Sequence, residues 1–217
     1  VVFKGETLPP ALKSRKRKDL QRLQMIYQMP DTALNPRQKI RKIIGRPLAF
    51  YFNYNRKQQE ERILELLDQI ELPADYIDRY PTELSGGEKQ RICIARALAA
   101  EPDLIICDEV TSALDQLVAE GILKLLLSLQ RKLQVSYLFI THDLATVKAI
   151  SDEIVVMLMG RIVEKGPKQE VLKPPHHEYT DLLLSSVPEM DPDWLDELLE
   201  ARAEQENGDK PVMEPAA

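Results

Sequence analysis

Residues 104–107 read LIIC, and Asp108 and Glu109 follow at once. Four apolar residues with no polar alternation fit a strand covered on both faces in a parallel sheet. Parallel neighbours need a crossover of a dozen or more residues between them. The flanks supply such crossovers. Residues 88–100 and 116–133 carry helical patterns, and SYLFI at 136–140 reads as a second buried strand. Helix, strand, helix, strand is the order of an α/β sheet with crossover helices. Working residues in such sheets lie just past the carboxyl ends of the strands. Asp108, Glu109 and His142 occupy those positions on two strands.

The rest of the chain is less constraining. VVFKG at 1–5 reads as a strand and turn from the interior of a longer polypeptide. The basic run KSRKRK at 13–18 is a solvated loop or first helical turn, with a nucleic-acid contact as the lesser alternative. LQMIYQ at 23–28 is a further apolar run ending at Gln28, and the prolines, Asp31 and Asn35 of MPDTALNPR make the next stretch a loop. Residues 56–71 place Ile63, Leu66, Leu67 and Ile70 on one helical face, ended by Pro73. EIVVMLMGRIVEKG reads as a hairpin turning near Gly160. Helices are expected at 178–186 and 191–204, and the composition of the last dozen residues predicts disorder.

The totals narrow the class. A chain of 217 residues, 44% hydrophobic, suffices for one substantial domain or a domain with a subdomain. A net charge of −6 and a pI near 5.3 argue against a general nucleic-acid binder. Cys93 and Cys107 lie in apolar runs, read as buried small residues rather than a disulfide framework, and imply a reducing compartment. No run of about 18 apolar residues appears, so no membrane span is expected.

Two acids after an apolar strand are costly to hold without a cation or ligand, although they can also cap a helix. Asp108 is suited to hold Mg²⁺, and Glu109 to polarise an attacking water or take its proton. This is the strand-and-acid arrangement of nucleotide hydrolases. His142 alone reads as a hydrogen-bonded structural group. Beside the two acids it gains a second reading, donating to a phosphate oxygen. Ser85, Gly86 and Gly87 in LSGGEKQR (84–91) precede a helix whose first amides lack intrahelical partners. An anion fits there, and an ordinary N-cap fits as well.

Taken in order, Gln28 in IYQMPDTALNPR, LSGGEKQR, LIICDEVTSALD and FITHDL resemble the ATP-binding subunits of ABC transporters. YQMPDTALNPR, DEVTSALD with Val110, and HHEYTDLLLSSVPE at 176–189 resemble the oligopeptide and dipeptide importer branch. The resemblance covers roughly residues 1–190. It implies an ABC-type P-loop NTPase fold, α/β with a parallel sheet core and an inserted α-helical subdomain. It implies ATP and Mg²⁺ as cofactors, Asp108 and Gln28 toward the metal, and Glu109 and His142 as catalytic groups. Ser85, Gly86, Gly87, Glu88 and Asp115 would face the ATP of a second ATP-binding domain packed head to tail, with Gln28 also near the nucleotide of its own subunit. Further implied partners are transmembrane permease subunits and, indirectly, a solute-binding protein. The implied location is the cytoplasmic face of a bacterial inner membrane, and no nucleic acid is expected.

The same resemblance divides the chain into 1–44 (strands and the Gln28 loop), 45–98 (helical subdomain), 99–175 (the two acid- and histidine-bearing strands), 176–204 (helical extension) and 205–217 (tail). No GxxxxGK[ST] loop occurs in the 217 residues. Gly160 and Gly166 are spaced one residue too far apart, and Pro167 lacks the amide such a loop needs. The expectation is therefore a C-terminal part of an ATPase, inactive and poorly stable alone because its sheet lacks a neighbour. Two other classes stay open. One is a non-hydrolysing module that lends its LSGGEKQR helix to a partner. The other is a soluble ABC ATPase of DNA repair or translation, which sustained heptads would favour and this sequence lacks.

Overall fold

A computed structural model of the chain describes residues 1–185. The chain divides into two compact units, residues 1–140 and residues 141 onward.

The first unit is built on three parallel strands, β3 (Leu23–Ile26), β4 (Leu104–Asp108) and β5 (Ser136–Ile140), in the order β3-β4-β5. Ile26 pairs with Cys107, and Asp108 with Ile140. A small hairpin precedes them, β1 (Val2–Phe3) and β2 (Glu6–Thr7). Its turn residues Lys4 and Gly5 both have positive φ, as a tight two-residue hairpin requires. The basic run lies in a 3₁₀ turn and in the start of α1 (Arg17–Arg22), with its lysines exposed.

The expectation that LIIC and SYLFI are covered on both faces is corrected. Ile105 and Cys107 are fully buried, but Leu104 and Ile106 on the opposite face are only half-buried. On β5, Leu138 and Ile140 are 50% and 48% exposed. Tyr137 and Phe139 turn to the core side, their rings 5.7 Å apart edge to face. The reason is topological: β5 is an edge strand in this sheet, and helices cover one face only.

That covered face meets α5 (Gly86–Leu98) and α6 (Gln116–Leu133). α5 buries residues on nearly every side, among them Ile92, Cys93, Ile94, Ala97 and Leu98, as expected of a central helix. It begins two residues before the expected position because Ser85 caps it, and it ends at Leu98, where Glu101 turns to positive φ ahead of Pro102. The other side of α5 receives α3 (Ile40–Phe52) and α4 (Arg56–Gln69). α4 is capped by Asn55 and stops two residues earlier than expected, with Glu71 at positive φ. A short helix, α2 (Pro30–Ala33), lies in the stretch expected to be loop.

α3 is not singled out beyond the helical subdomain expected at 45–98, although Ile40, Ile43, Ile44 and Leu48 stand at helical spacing. Pro47 lies inside it, a position that ordinarily costs about 3 kcal/mol. Ile40, Ile43, Ile44 and Leu48 are all buried on one face. At about 1.5–3 kcal/mol each, their burial outweighs the proline.

In the second unit, α7 (Leu144–Ile150) leads to a hairpin of β6 (Glu153–Leu158) and β7 (Arg161–Pro167), turning at Met159 and Gly160 as expected. α8 (Lys168–Val171) and α9 (Glu178–Ser185) follow. Glu164 of β7 accepts the Thr180 hydroxyl at 2.5 Å and the His177 amide at 3.3 Å, fastening α9 to the hairpin. The expected helix at 191–204 and the tail at 205–217 lie outside the described residues.

Candidate functional site

The carboxyl ends of β3 and β4 lie side by side, so the residues after each strand meet. Gln28 Nε2 donates to Glu109 Oε2 at 2.5 Å and lies 3.3 Å from Ser112 Oγ. Ser112 in turn donates its hydroxyl to the Glu109 carbonyl at 3.0 Å and its amide to the same oxygen at 3.1 Å. Glu109 sits at φ 46°, in the left-handed region. Such a backbone is sparsely populated by non-glycine residues and persists where its surroundings hold it. Here the Glu109 amide donates to Ile140 O at 2.9 Å, which locks the turn to the end of β5. Asp108 is the last residue of β4 and is half-buried.

Among the described residues, no cluster of three or more His, Cys, Asp or Glu side chains is placed to hold a metal ion. The hard-oxygen groups after these two strands are the Asp108 carboxylate and the Gln28 amide, of which the structure records only the amide nitrogen in contact, with Glu109 and Ser112. That set suits Mg²⁺, which is usually bound through one or two carboxylates together with substrate phosphates rather than by an all-protein cage.

The second group lies at the start of α5. Ser85 is its N-cap, and the Glu88 amide donates to Ser85 Oγ at 3.4 Å. Glu88 Oε2 accepts the Ser85 amide at 2.7 Å and the Ser85 hydroxyl at 2.8 Å, closing a capping box. Its other oxygen, Oε1, takes the Tyr76 hydroxyl. Tyr76 foremost, with the Ser85 amide and hydroxyl and the Arg79 charge adding to it, holds the Glu88 carboxyl below the usual range.

Gly87 has a packing reason of its own, and Gly86 does not. A Cβ on Gly86 would touch Leu114 at 3.5 Å, and one on Gly87 would lie 2.5 Å from Val118 Cγ1. The α5 terminus therefore rests on the first turn of α6. Asp115 caps α6, accepting the Val118 amide at 3.0 Å. Ser85 and Gly86 are exposed while Gly87 and Glu88 are half-covered, so two adjacent helix N-termini share one accessible corner. Lys89, one turn on, pairs with Asp31 at 2.6 Å and ties this corner to the stretch after Gln28.

His142 belongs to the second unit. It lies two residues beyond β5, between Thr141 and Asp143. Asp143 caps α7 by accepting the Ala145 and Thr146 amides at 3.0 and 3.3 Å, and donates its own amide to Thr141 Oγ1 at 3.0 Å. Sequence reasoning missed Tyr76, Arg79 and Ser112. Ser112 had a signal, a serine three residues after the catalytic candidate Glu109. Tyr76 had none, since its meeting with Glu88 depends on the 3₁₀ segment Ala74–Asp78.

An ABC transporter family model matches residues 1–112, more than half of the chain. The chain belongs to the ABC transporter family. A second model, the oligopeptide/dipeptide transporter C-terminal region, matches residues 163–211. The dipeptide transport ATP-binding protein DppF of Escherichia coli is 41% identical over 89% of this ABC chain and 58% of its own length. The oligopeptide transport ATP-binding protein AppF of Bacillus subtilis is 41% identical over 87% and 57% respectively. The glutathione import ATP-binding protein GsiA of Pectobacterium atrosepticum is 42% identical over 88% of this chain but 31% of its own. The chain thus spans about half, or less, of these relatives. Among solved structures, cbiO1 of Clostridium perfringens, part of the ABC transporter complex cbiONQ, superposes with a TM-score of 0.69. It is 26% identical, covering 78% of this chain and 66% of that one. The α/β fold with a parallel sheet agrees with that neighbour.

Proposed function

We propose that this chain is the ATP-binding and ATP-hydrolysing part of an ABC importer, with peptides as the solute class. The hydrogen bond between Gln28 and Glu109 carries the reading. It brings a neutral amide and a carboxylate together at the carboxyl ends of adjacent parallel strands, where such sheets do their chemistry. Glu109 is assigned the general base that takes a proton from the attacking water. Gln28 orients Glu109 and offers its amide oxygen to the cation. Asp108 holds Mg²⁺, and His142 donates to a phosphate oxygen. Bound Mg²⁺ supplies charge neutralisation on the phosphates.

Ser85, Gly86, Gly87 and Asp115, with Glu88 behind them, lie on the accessible corner suited to the γ-phosphate held by a second ATP-binding domain. Unpaired first-turn amides and two helix dipoles favour an anion there. The helical segment 45–98 is assigned the coupling surface toward permease subunits. A groove of about 870 Å³ beside it, lined by Tyr27, Thr32, Ala33, Arg46 and Phe50, supports that assignment. Among the described residues no helix is long and apolar enough to cross a membrane. The proposed placement is peripheral, on the cytoplasmic face, with a solute-binding protein as an indirect partner.

One observation favours a second reading. The Ser85 corner is accessible and preformed by its own capping box, so in this reading the chain only lends that corner to a partner's nucleotide. Reconstitution with the permease separates the two. If Glu109→Gln abolishes MgATP turnover and retains nucleotide binding, the hydrolytic reading stands. If Glu109→Gln leaves turnover intact and Ser85→Ala removes it, the donor reading replaces it.

A further inference from the structure

We propose that Tyr76 and Glu88 form a positioning pair that sets the Ser85 hydroxyl, so that Glu88 acts through Ser85 rather than by touching nucleotide. The inference rests on the reading that Ser85 faces a phosphate.

Every oxygen of Glu88 is used inside its own domain. Oε2 accepts both the amide and the hydroxyl of Ser85, and Oε1 accepts the Tyr76 hydroxyl. Tyr76 is 8% exposed, and its ring is covered by the Arg79 guanidinium, 3.9 Å from the centroid. Arg79 is fixed in turn by Asp75 at 2.5 Å. The Arg79 carbonyl accepts the Ile40 amide at 3.0 Å, which anchors the start of α3. A continuous line of contacts therefore runs from α3 through Arg79 and Tyr76 to Glu88 and ends on the Ser85 hydroxyl.

The arrangement has an electrostatic consequence. A carboxylate is itself no phosphate ligand, because like charges repel, and Glu88 at 2.8 Å from Ser85 Oγ is engaged with the hydroxyl instead. It is well placed to orient a hydroxyl. While the Ser85 hydroxyl donates to Glu88, the serine oxygen presents its lone pairs and the Gly86 and Gly87 amides carry the anion-facing role. A phosphate that accepts the Ser85 hydroxyl must win that hydrogen bond from Glu88. The neighbours that hold the Glu88 charge then set how readily this happens. Those neighbours are Tyr76 on the 3₁₀ segment, Arg79 at its end, and Ser85 as the cap of the Glu88 helix, while Asp75 opposes them by charge and acts only by fixing Arg79. Lys89 is turned to Asp31 instead.

The first test needs no nucleotide. The Ser85 amide donates to Glu88, so its ¹H–¹⁵N shift in the 217-residue chain reports Glu88 ionisation. The wild-type midpoint is expected below the ordinary glutamate value. Tyr76→Phe is expected to move it upward, and Glu88→Gln to abolish the titration. An unmoved midpoint in Tyr76→Phe overturns the pair, as does a persisting titration in Glu88→Gln. The second variant keeps the test decisive should Tyr76→Phe not fold. The consequence for turnover is then read in the reconstituted transporter. Tyr76→Phe is expected to raise the KM for MgATP about tenfold, the scale of one hydrogen bond to a charged group, with the acid limb of its pH profile moved upward. An unchanged KM and profile in Tyr76→Phe, where Ser85→Ala does impair turnover, overturns the inference alone. If Ser85→Ala has no effect, the phosphate-facing reading fails while the amide titration still decides the pair.

Discussion

Gln28 and Glu109 are 81 residues apart in sequence and joined by a 2.5 Å hydrogen bond. Gln28 is exposed, so its removal leaves the core intact. In the reconstituted transporter, Gln28→Ala is expected to lower MgATP turnover about tenfold, a part of the roughly 10²–10⁴-fold that a positioned base supplies. The melting curve should shift by no more than about 0.5 kcal/mol, as for other surface substitutions. A loss of turnover matched by an equal loss of stability would point to folding instead of orientation.

Gly87 is the tightest helix contact at the corner. Its substitution by Ala forces a methyl to within 2.5 Å of Val118 Cγ1, and valine cannot rotate away freely in a helix. Gly87→Ala should destabilise the chain by about 1–3 kcal/mol. Val118→Ala in the same chain should recover most of that. Urea unfolding of the two single variants and the double variant measures the coupling.

The α9 connection should weaken as pH rises. His176 Nδ1 lies 2.5 Å from Asp181 Oδ1, and this contact raises the histidine above its ordinary value. A raised folded value means the stabilisation is full below the unfolded value of about 6.5. It is lost as pH climbs through the folded one. The difference in urea midpoint between wild type and His176→Gln is expected to shrink from pH 6 to pH 9. A difference that grew with pH would reverse the assignment.

Both cysteines should be chemically silent in the native chain. Burial pushes the Cys93 thiol up to about 11 and the Cys107 thiol up to about 12, so almost no thiolate exists at pH 8. Labelling by a thiol reagent should proceed only at the rate of unfolding, and mass spectrometry in native buffer and in denaturant checks this.

The legible part of the chain was the part whose pattern is local. The strand ending in Asp108 and Glu109, the helix after Ser85 and the hairpin at Gly160 each announce themselves within a few residues. α3 does so less plainly, because Gly45 and Pro47 interrupt a face that Ile40, Ile43, Ile44 and Leu48 otherwise mark. The two-sided burial expected of β4 and β5 failed for a related reason. An apolar strand does not say how many of its faces a sheet will cover. At the site, an N-cap at Ser85 was legible, whereas the resemblance points the Glu88 side chain toward nucleotide and not toward Ser85, and Tyr76 reaches it through a turn that no periodicity describes.

Gly87 also bears on how chains of this kind can be judged from sequence. The position is held by the seat of one helix on another, independent of any phosphate. A descendant that had ceased to hydrolyse anything would still be held to a glycine there for as long as Val118 stays opposite it. The glycine is therefore a record of how the helices stack, and the evidence of a working enzyme has to be sought at Glu109.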